Sequence, residues 1–195
     1  MTAPIFSFVV AFLGAISVSL GQSGFFETLA DSALSLTKQS VTYDPTYYKL
    51  TYPNGDVPAS KGVCTDVVIR AYRKLGIDLQ NVVHEDMKTN FSNYPKSWNL
   101  SQPDANIDHR RVPNLMTFFT RNGKTKPITS NSKDFLPGDI VCWNLGGSIP
   151  HIGIVVKQKS RDGLRPLVVH NIGAGQVLED CLFRFKIIGH YQYKK

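Results

Sequence analysis

The chain has 195 residues, 42% of them hydrophobic and 19% charged, with three cysteines and a formal net charge of +7. That length suits one domain with a full core and excludes two comfortable ones, and the composition excludes a disordered or low-complexity chain. The pI of about 9.3 suits either an anionic surface such as a wall polymer or membrane headgroups, or solubility alone, whereas basic residues this scattered speak against nucleic acid.

Residues 1–21 read as a secretory leader. Ile5 to Leu20 is mostly apolar and carries no charged side chain, and Ser19 and Gly21 are the small residues that precede a signal-peptidase cut. The run falls short of the ~20 apolar residues of a membrane span. The expectation is an exported protein, periplasmic or secreted, whose single domain covers 22–195 and keeps no stable membrane span after cleavage. An uncleaved N-terminal anchor is the rival.

From there helices come first. Phe25 to Gln39 has apolar residues at helical spacing, and Val41 to Tyr52 reads as an extended lead-in closed by the turn at Pro53-Asn54-Gly55-Asp56. In the next helix, Val63 to Leu75, the residues Cys64, Val68, Ala71 and Leu75 share one face, so the thiol stands where that face begins. Asn81 to Phe91 predicts a third helix, capped by Asn81 with His84, Glu85 and Asp86 outward. Ser92 to Asp108 is a loop, and Val112 to Thr120 a short helix.

Beyond Leu136 the pattern changes to strands: Ile140 to Trp143, Ile152 to Lys157, Pro166 to His170, Gln176 to Leu182 and Ile187 to Tyr193, punctuated by glycine turns. Helices followed by an antiparallel sheet predict an α+β fold with the cysteine helix packed on the sheet. Two histidines stand on neighbouring strands, His151 and His170. A thiol at a helix start, where the positive dipole end lowers its pKa, and an imidazole on a facing strand are what a cysteine hydrolase needs. Cys64 attacks a carbonyl, His151 takes and returns the proton, and His170 (or Asn171) orients His151. The Cys64 backbone N–H is a candidate oxyanion donor. Three cysteines leave at least one unpaired; Cys142 and Cys181 either pair or fill the core, and Cys64 is the odd thiol.

Three blocks carry a resemblance: Gly62-Val63-Cys64-Thr65-Asp66, Pro137-Gly138-Asp139-Ile140-Val141, and Pro150-His151-Ile152-Gly153-Ile154-Val155. They resemble the NlpC-like cell-wall cysteine peptidases of the papain-like superfamily, in which the cysteine opens a helix and a His-x-Gly motif supplies the base. The similarity is greatest to a branch of secreted bacterial proteins within it, which also shows Tyr-Asp-Pro near Tyr43 and the Ile107–Asn114 segment. One departure stands out. Typical members read Asp-Cys-Ser-Gly, whereas here Val63 precedes Cys64 and Asp66 follows it. The resemblance implies a papain-like fold, Cys64, His151 and His170 as the catalytic set, no cofactor or metal, and peptidoglycan or its stem peptides as substrate.

Around this set, Asp66, Asp108, His109 and Arg110 are candidate substrate-binding residues. The Asp108-His109-Arg110-Arg111 cluster suits a substrate carboxylate, because arginine forks match carboxylates bidentately; a buried ion network is the alternative. A monomer is expected. Widely spaced cysteines and histidines argue against a zinc site. Acyl transfer from the same cysteine, or a non-catalytic wall-binding module, are the competing functions. Trp98 and Trp143 are candidates to line a groove.

Overall fold

A computed structural model describes residues 16–195. The leader expected over 1–21 lies outside the described residues as far as Ala15, and its remainder opens the first helix. Four α-helices, α1 (Ile16–Leu36), α2 (Cys64–Arg73), α3 (Leu79–Asn90) and α4 (Val112–Asn122), precede the main sheet. None of the described helices is long and apolar enough to cross a membrane. A two-stranded parallel ladder, β1 (Thr42–Tyr43) with β2 (Lys61–Gly62), lies just before the cysteine. The sheet contains β3 (Lys124–Thr125), β4 (Ile140–Asn144), β5 (Pro150–Lys159), β6 (Pro166–His170), β7 (Val177–Glu179) and β8 (Lys186–Gln192). Their order is β3-β8-β4-β5-β6-β7, and every adjacent pair is antiparallel. The expected α+β layout is what the chain adopts.

The period-2 rule of strands divides β4 between two cores. Ile140 and Cys142 join the helices, with Leu29, Val68 and Phe119, whereas Val141 and Trp143 join Phe135, Val168 and Leu182 on the other face. The Pro-Gly-Asp turn before β4 is structural. Gly138 has φ +85°, and a Cβ there would stand 2.2 Å from the Phe26 carbonyl oxygen. Its neighbour Asp139, fully buried, accepts from Lys126, His190, Gln192 and the Leu136 N–H.

Some local expectations change. The α3 cap is Asp78, not Asn81: its carboxylate accepts from the Gln80 N–H at 3.0 Å, and the helix begins three residues early. His84 does not face out but turns inward to Asp108. The strand expected over Gln176 to Leu182 is only three residues long, because Cys181 and Leu182 turn back under Trp143, whose indole N–H donates to the Leu182 carbonyl at 2.9 Å. The short strands β1, β2 and β3 are too brief to carry a periodic signal.

Candidate active site

The thiol owes its position to α2. The Asp66 carboxylate reaches back to the Val63 N–H at 2.7 Å and so holds the helix start. Gly62, just upstream, leaves little room for a Cβ: one would lie 3.2 Å from the Asp66 Cβ and 3.3 Å from an Arg70 nitrogen, so those side chains would have to shift. Asn171, at the end of β6, donates to the Gly62 carbonyl at 3.1 Å and ties this strand to the sheet. Cys64 is thereby set against β5, where backbone N–H groups of Ile152, Thr65 and Cys64 itself face its sulfur. Ile152 follows His151 directly. No hydrogen bond joins Cys64 to His151 among the described residues.

Those N–H groups and the helix start favour a thiolate, yet burial outweighs them. With the Asp66 charge adding to the effect, it pushes the Cys64 pKa up to about 12. The lowered pKa expected from the helix dipole is therefore corrected: the resting thiol keeps its proton.

The two histidines meet each other. His151 Nε2 lies 2.9 Å from His170 Nδ1, and His170 Nε2 lies 2.9 Å from Glu179 Oε2. The β5–β6 ladder makes this possible through Gly153, where a Cβ would come within 2.7 Å of Val168 and 3.1 Å of the His170 Cβ. In the β6–β7 ladder Val168 stands opposite Glu179, so His170 and Glu179 share a face as diagonal neighbours. Glu179 was not among the residues picked from the sequence; the only trace of it there is its place in the strand after His170.

Proton positions along this chain follow from charge. Burial alone would raise the Glu179 pKa, but Arg184 and His170 hold it below the usual value, so it is an acceptor only. His170 must then carry its proton on Nε2 and accept at Nδ1, and His151 must donate from Nε2. Burial lowers both imidazole pKa values, His151 to about 3, so both rings are neutral near pH 7. The lone pair left over is on His151 Nδ1, the nitrogen a general base needs. Asn171, the alternative orienting residue, is committed to Gly62.

Cys64 opens into a cleft of about 200 Å³ walled by Tyr43, Trp98, Arg110, Arg111 and Pro150. Of the larger concavities, those of about 400 Å³ beside Arg73 and about 480 Å³ beside Met116 contain no cysteine or histidine, and one of about 450 Å³ beside Leu100 contains His84. Of the two tryptophans, Trp98 is exposed in the cleft wall and Trp143 is core.

The four candidate substrate-binding residues go to two places. Asp66 and Arg110 pair with each other, Nε to Oδ1 at 3.0 Å and Nη2 to Oδ2 at 3.1 Å, both side chains buried. Asp108 is fully buried and holds His84 Nδ1 at 2.8 Å, and His109 is buried, its pKa lowered to about 3 by desolvation. Arg111 is different. Its guanidinium lies 4.2 Å above the Trp98 ring, and its buried Nη1 has no partner among the described residues. All three cysteines are free thiols: Cys142 is in the core, and Cys181 Sγ lies 3.6 Å from His170 Nε2.

Two comparisons bear on this geometry. The chain is 54% identical over 165 residues to the uncharacterised protein YijF of Escherichia coli (strain K12), covering 85% of this chain and 80% of that one. Residues 30–193 match the domain of unknown function DUF1287, a stretch that includes every residue of the site. By that second match the chain belongs to the DUF1287 family.

Proposed function

We propose that the protein is an exported cysteine peptidase or amidase that hydrolyses an amide bond of peptidoglycan, on a papain-like, NlpC-like fold. One observation carries the reading: the ordered chain His151–His170–Glu179, which leaves an unprotonated imidazole nitrogen on the residue next to the one whose N–H faces Cys64. In the first step Cys64 sulfur attacks the scissile carbonyl while its proton passes to His151 Nδ1. The imidazolium returns that proton to the departing amine, leaving a thioester. Water then attacks the thioester, losing a proton to His151, and the acid is released as the thiol reforms. Because the resting thiol is protonated, attack and proton transfer are coupled rather than drawn from a preformed thiolate.

The substrate class rests on the sequence resemblance, and the cleft supports it. Arg111, in the wall of the same cleft as Cys64, has a guanidinium nitrogen without a partner among the described residues and suits a carboxylate, of which stem peptides carry several. A cleft of about 200 Å³ with Arg111 in its wall suits a peptide better than a lipid acceptor.

The test is digestion of purified peptidoglycan by the chain from Gln22, beside Cys64→Ala, with fragments identified by mass spectrometry. Fragments made by the wild type and absent with the variant are the expected result, and their masses name the bond. A folded wild type that yields none overturns the hydrolase reading. Added amine appearing in the products would assign acyl transfer instead.

A further inference from the structure

Cys181 has no part in this chemistry, yet it is buried against the orienting histidine. His170 Nε2, a Glu179 carboxylate oxygen and Cys181 Sγ all lie within 4.8 Å of one another. The β6–β7 hairpin builds the group. Glu179 is the diagonal neighbour of His170 across the ladder, and Cys181 follows two residues later as the chain turns back. Sequence spacing hides it, because no two of the three form a close-spaced Cys or His pair of the kind structural zinc sites use.

We propose that His170, Glu179 and Cys181 form a binding site for a thiophilic divalent cation of the zinc type. Zinc takes tetrahedral nitrogen, sulfur and oxygen ligands with Zn–S of about 2.3 Å and Zn–N of about 2.05 Å, so a shared ion sets its sulfur and nitrogen ligands about 3.5 Å apart. Cys181 Sγ and His170 Nε2 are 3.6 Å apart. The carboxylate oxygen now at 2.9 Å from that nitrogen would have to withdraw by roughly 0.5 Å to become the third ligand. Water completes four-coordination. On binding, the thiol proton leaves to solvent and the His170 proton moves from Nε2 to Nδ1.

Outer contacts for both non-thiol ligands are already made. His170 Nδ1 is held by His151 Nε2, and the second Glu179 oxygen is held by Arg184. Zinc sites need a neutral imidazole, and burial keeps His170 neutral. Two of the ligands are buried, but Glu179 is 31% exposed and opens on the solvent side, which gives the ion an entrance. Arg184 is the opposing charge there. Its side chain is 49% exposed, so it can swing clear or stay on the distal oxygen.

Binding has a consequence that rests on the hydrolase reading. A metal on His170 Nε2 obliges the ring to carry its proton on Nδ1, which then donates to His151 Nε2. His151 must move its own proton to Nδ1, and the base is lost. The site is thus an inhibitory one that acts by reversing a tautomer chain rather than by blocking the cleft.

The first test reads binding without activity. Reduced, metal-free chain from Gln22 is titrated with Co²⁺, and thiolate-to-cobalt charge transfer is followed in the near ultraviolet beside Cys64→Ala, Cys181→Ala and Glu179→Gln. The expected result is one equivalent bound by the wild type and by Cys64→Ala. Cys181→Ala should lose the band, and Glu179→Gln should need about ten-fold more cobalt. No band in the wild type, or a band that disappears with Cys64→Ala and persists with Cys181→Ala, overturns the site. The second test adds zinc to the digestion assay. Inhibition that a chelator reverses, with Cys181→Ala needing about ten-fold more zinc, is expected. Intact digestion by zinc-loaded protein would overturn the inhibitory consequence while leaving the site standing.

Discussion

The polar groups on the two sides of Cys64 follow opposite rules. On the helical side Asp66 and Arg110 close on each other, their carboxylate and guanidinium satisfied by one another and by nearby backbone. On the sheet side His151, His170 and Glu179 form an open chain that runs from the buried face to a partly exposed carboxylate and ends on Arg184. A closed pair fixes geometry and has no proton to pass along. An open chain fixes where each proton sits and can be biased from its outer end. On the proposed function, buried charge near this thiol is scaffold where it is mutually satisfied, and functional where its last member looks outward.

The largest effect expected from this contrast is on stability. Arg110→Ala leaves the Asp66 carboxylate buried without its partner and should cost about 3–5 kcal/mol, measured by urea unfolding. A loss under about 1 kcal/mol would show that the pair is no support and would reopen Arg110 as a substrate ligand. Glu179→Gln should do the reverse. Its amide can donate to His170 Nε2 and invert the chain, so peptidoglycan digestion should fall about 100-fold while the melting temperature barely moves. Equal losses of stability and activity would erase the distinction between the two sides.

Smaller still is the pH response of Cys64. A protonated thiol with pKa about 12 should be alkylated by iodoacetamide at a rate rising about tenfold per pH unit from pH 6 to 9. A flat rate across that range would mean a preformed thiolate. The last prediction unites the two sides. His109 and His151 have folded pKa values of about 3, below their ordinary 6.5. The stability they contribute is present above pH 6.5 and lost as pH falls toward 3, because the unfolded chain gains protons that the folded one refuses. Stability rising on acidification through that window would contradict both burials.

Much of the layout was legible in the sequence. The face of α2, the strand alternation of β4 and the turn at Pro137-Gly138-Asp139 are periodic or turn-specific signals, and they led to an α+β arrangement. Cys64, His151 and His170 were picked by residue type and neighbouring pattern, and the two histidines do meet. Partnership was harder to read. Whether Asp66 faces a substrate or Arg110 depends on a contact across 44 positions, and Glu179 and Cys181 acquire meaning only through the β6–β7 register. The thiol pKa was misjudged for a related reason. A helix terminus is visible locally, whereas burial is a sum over the whole fold.

The tie from Asn171 to Gly62 spans 109 positions. It joins the strand just before the nucleophile to the strand that ends in His170, and the relay is completed only at Glu179. During synthesis the Cys64 sulfur emerges long before His151, His170 and Glu179. A chain released or cut before Glu179 would hold the thiol with no outer carboxylate to set its proton chain. On the proposed function, competence is thus reserved for the finished molecule, and a growing chain lacks the complete set of Cys64, His151, His170 and Glu179.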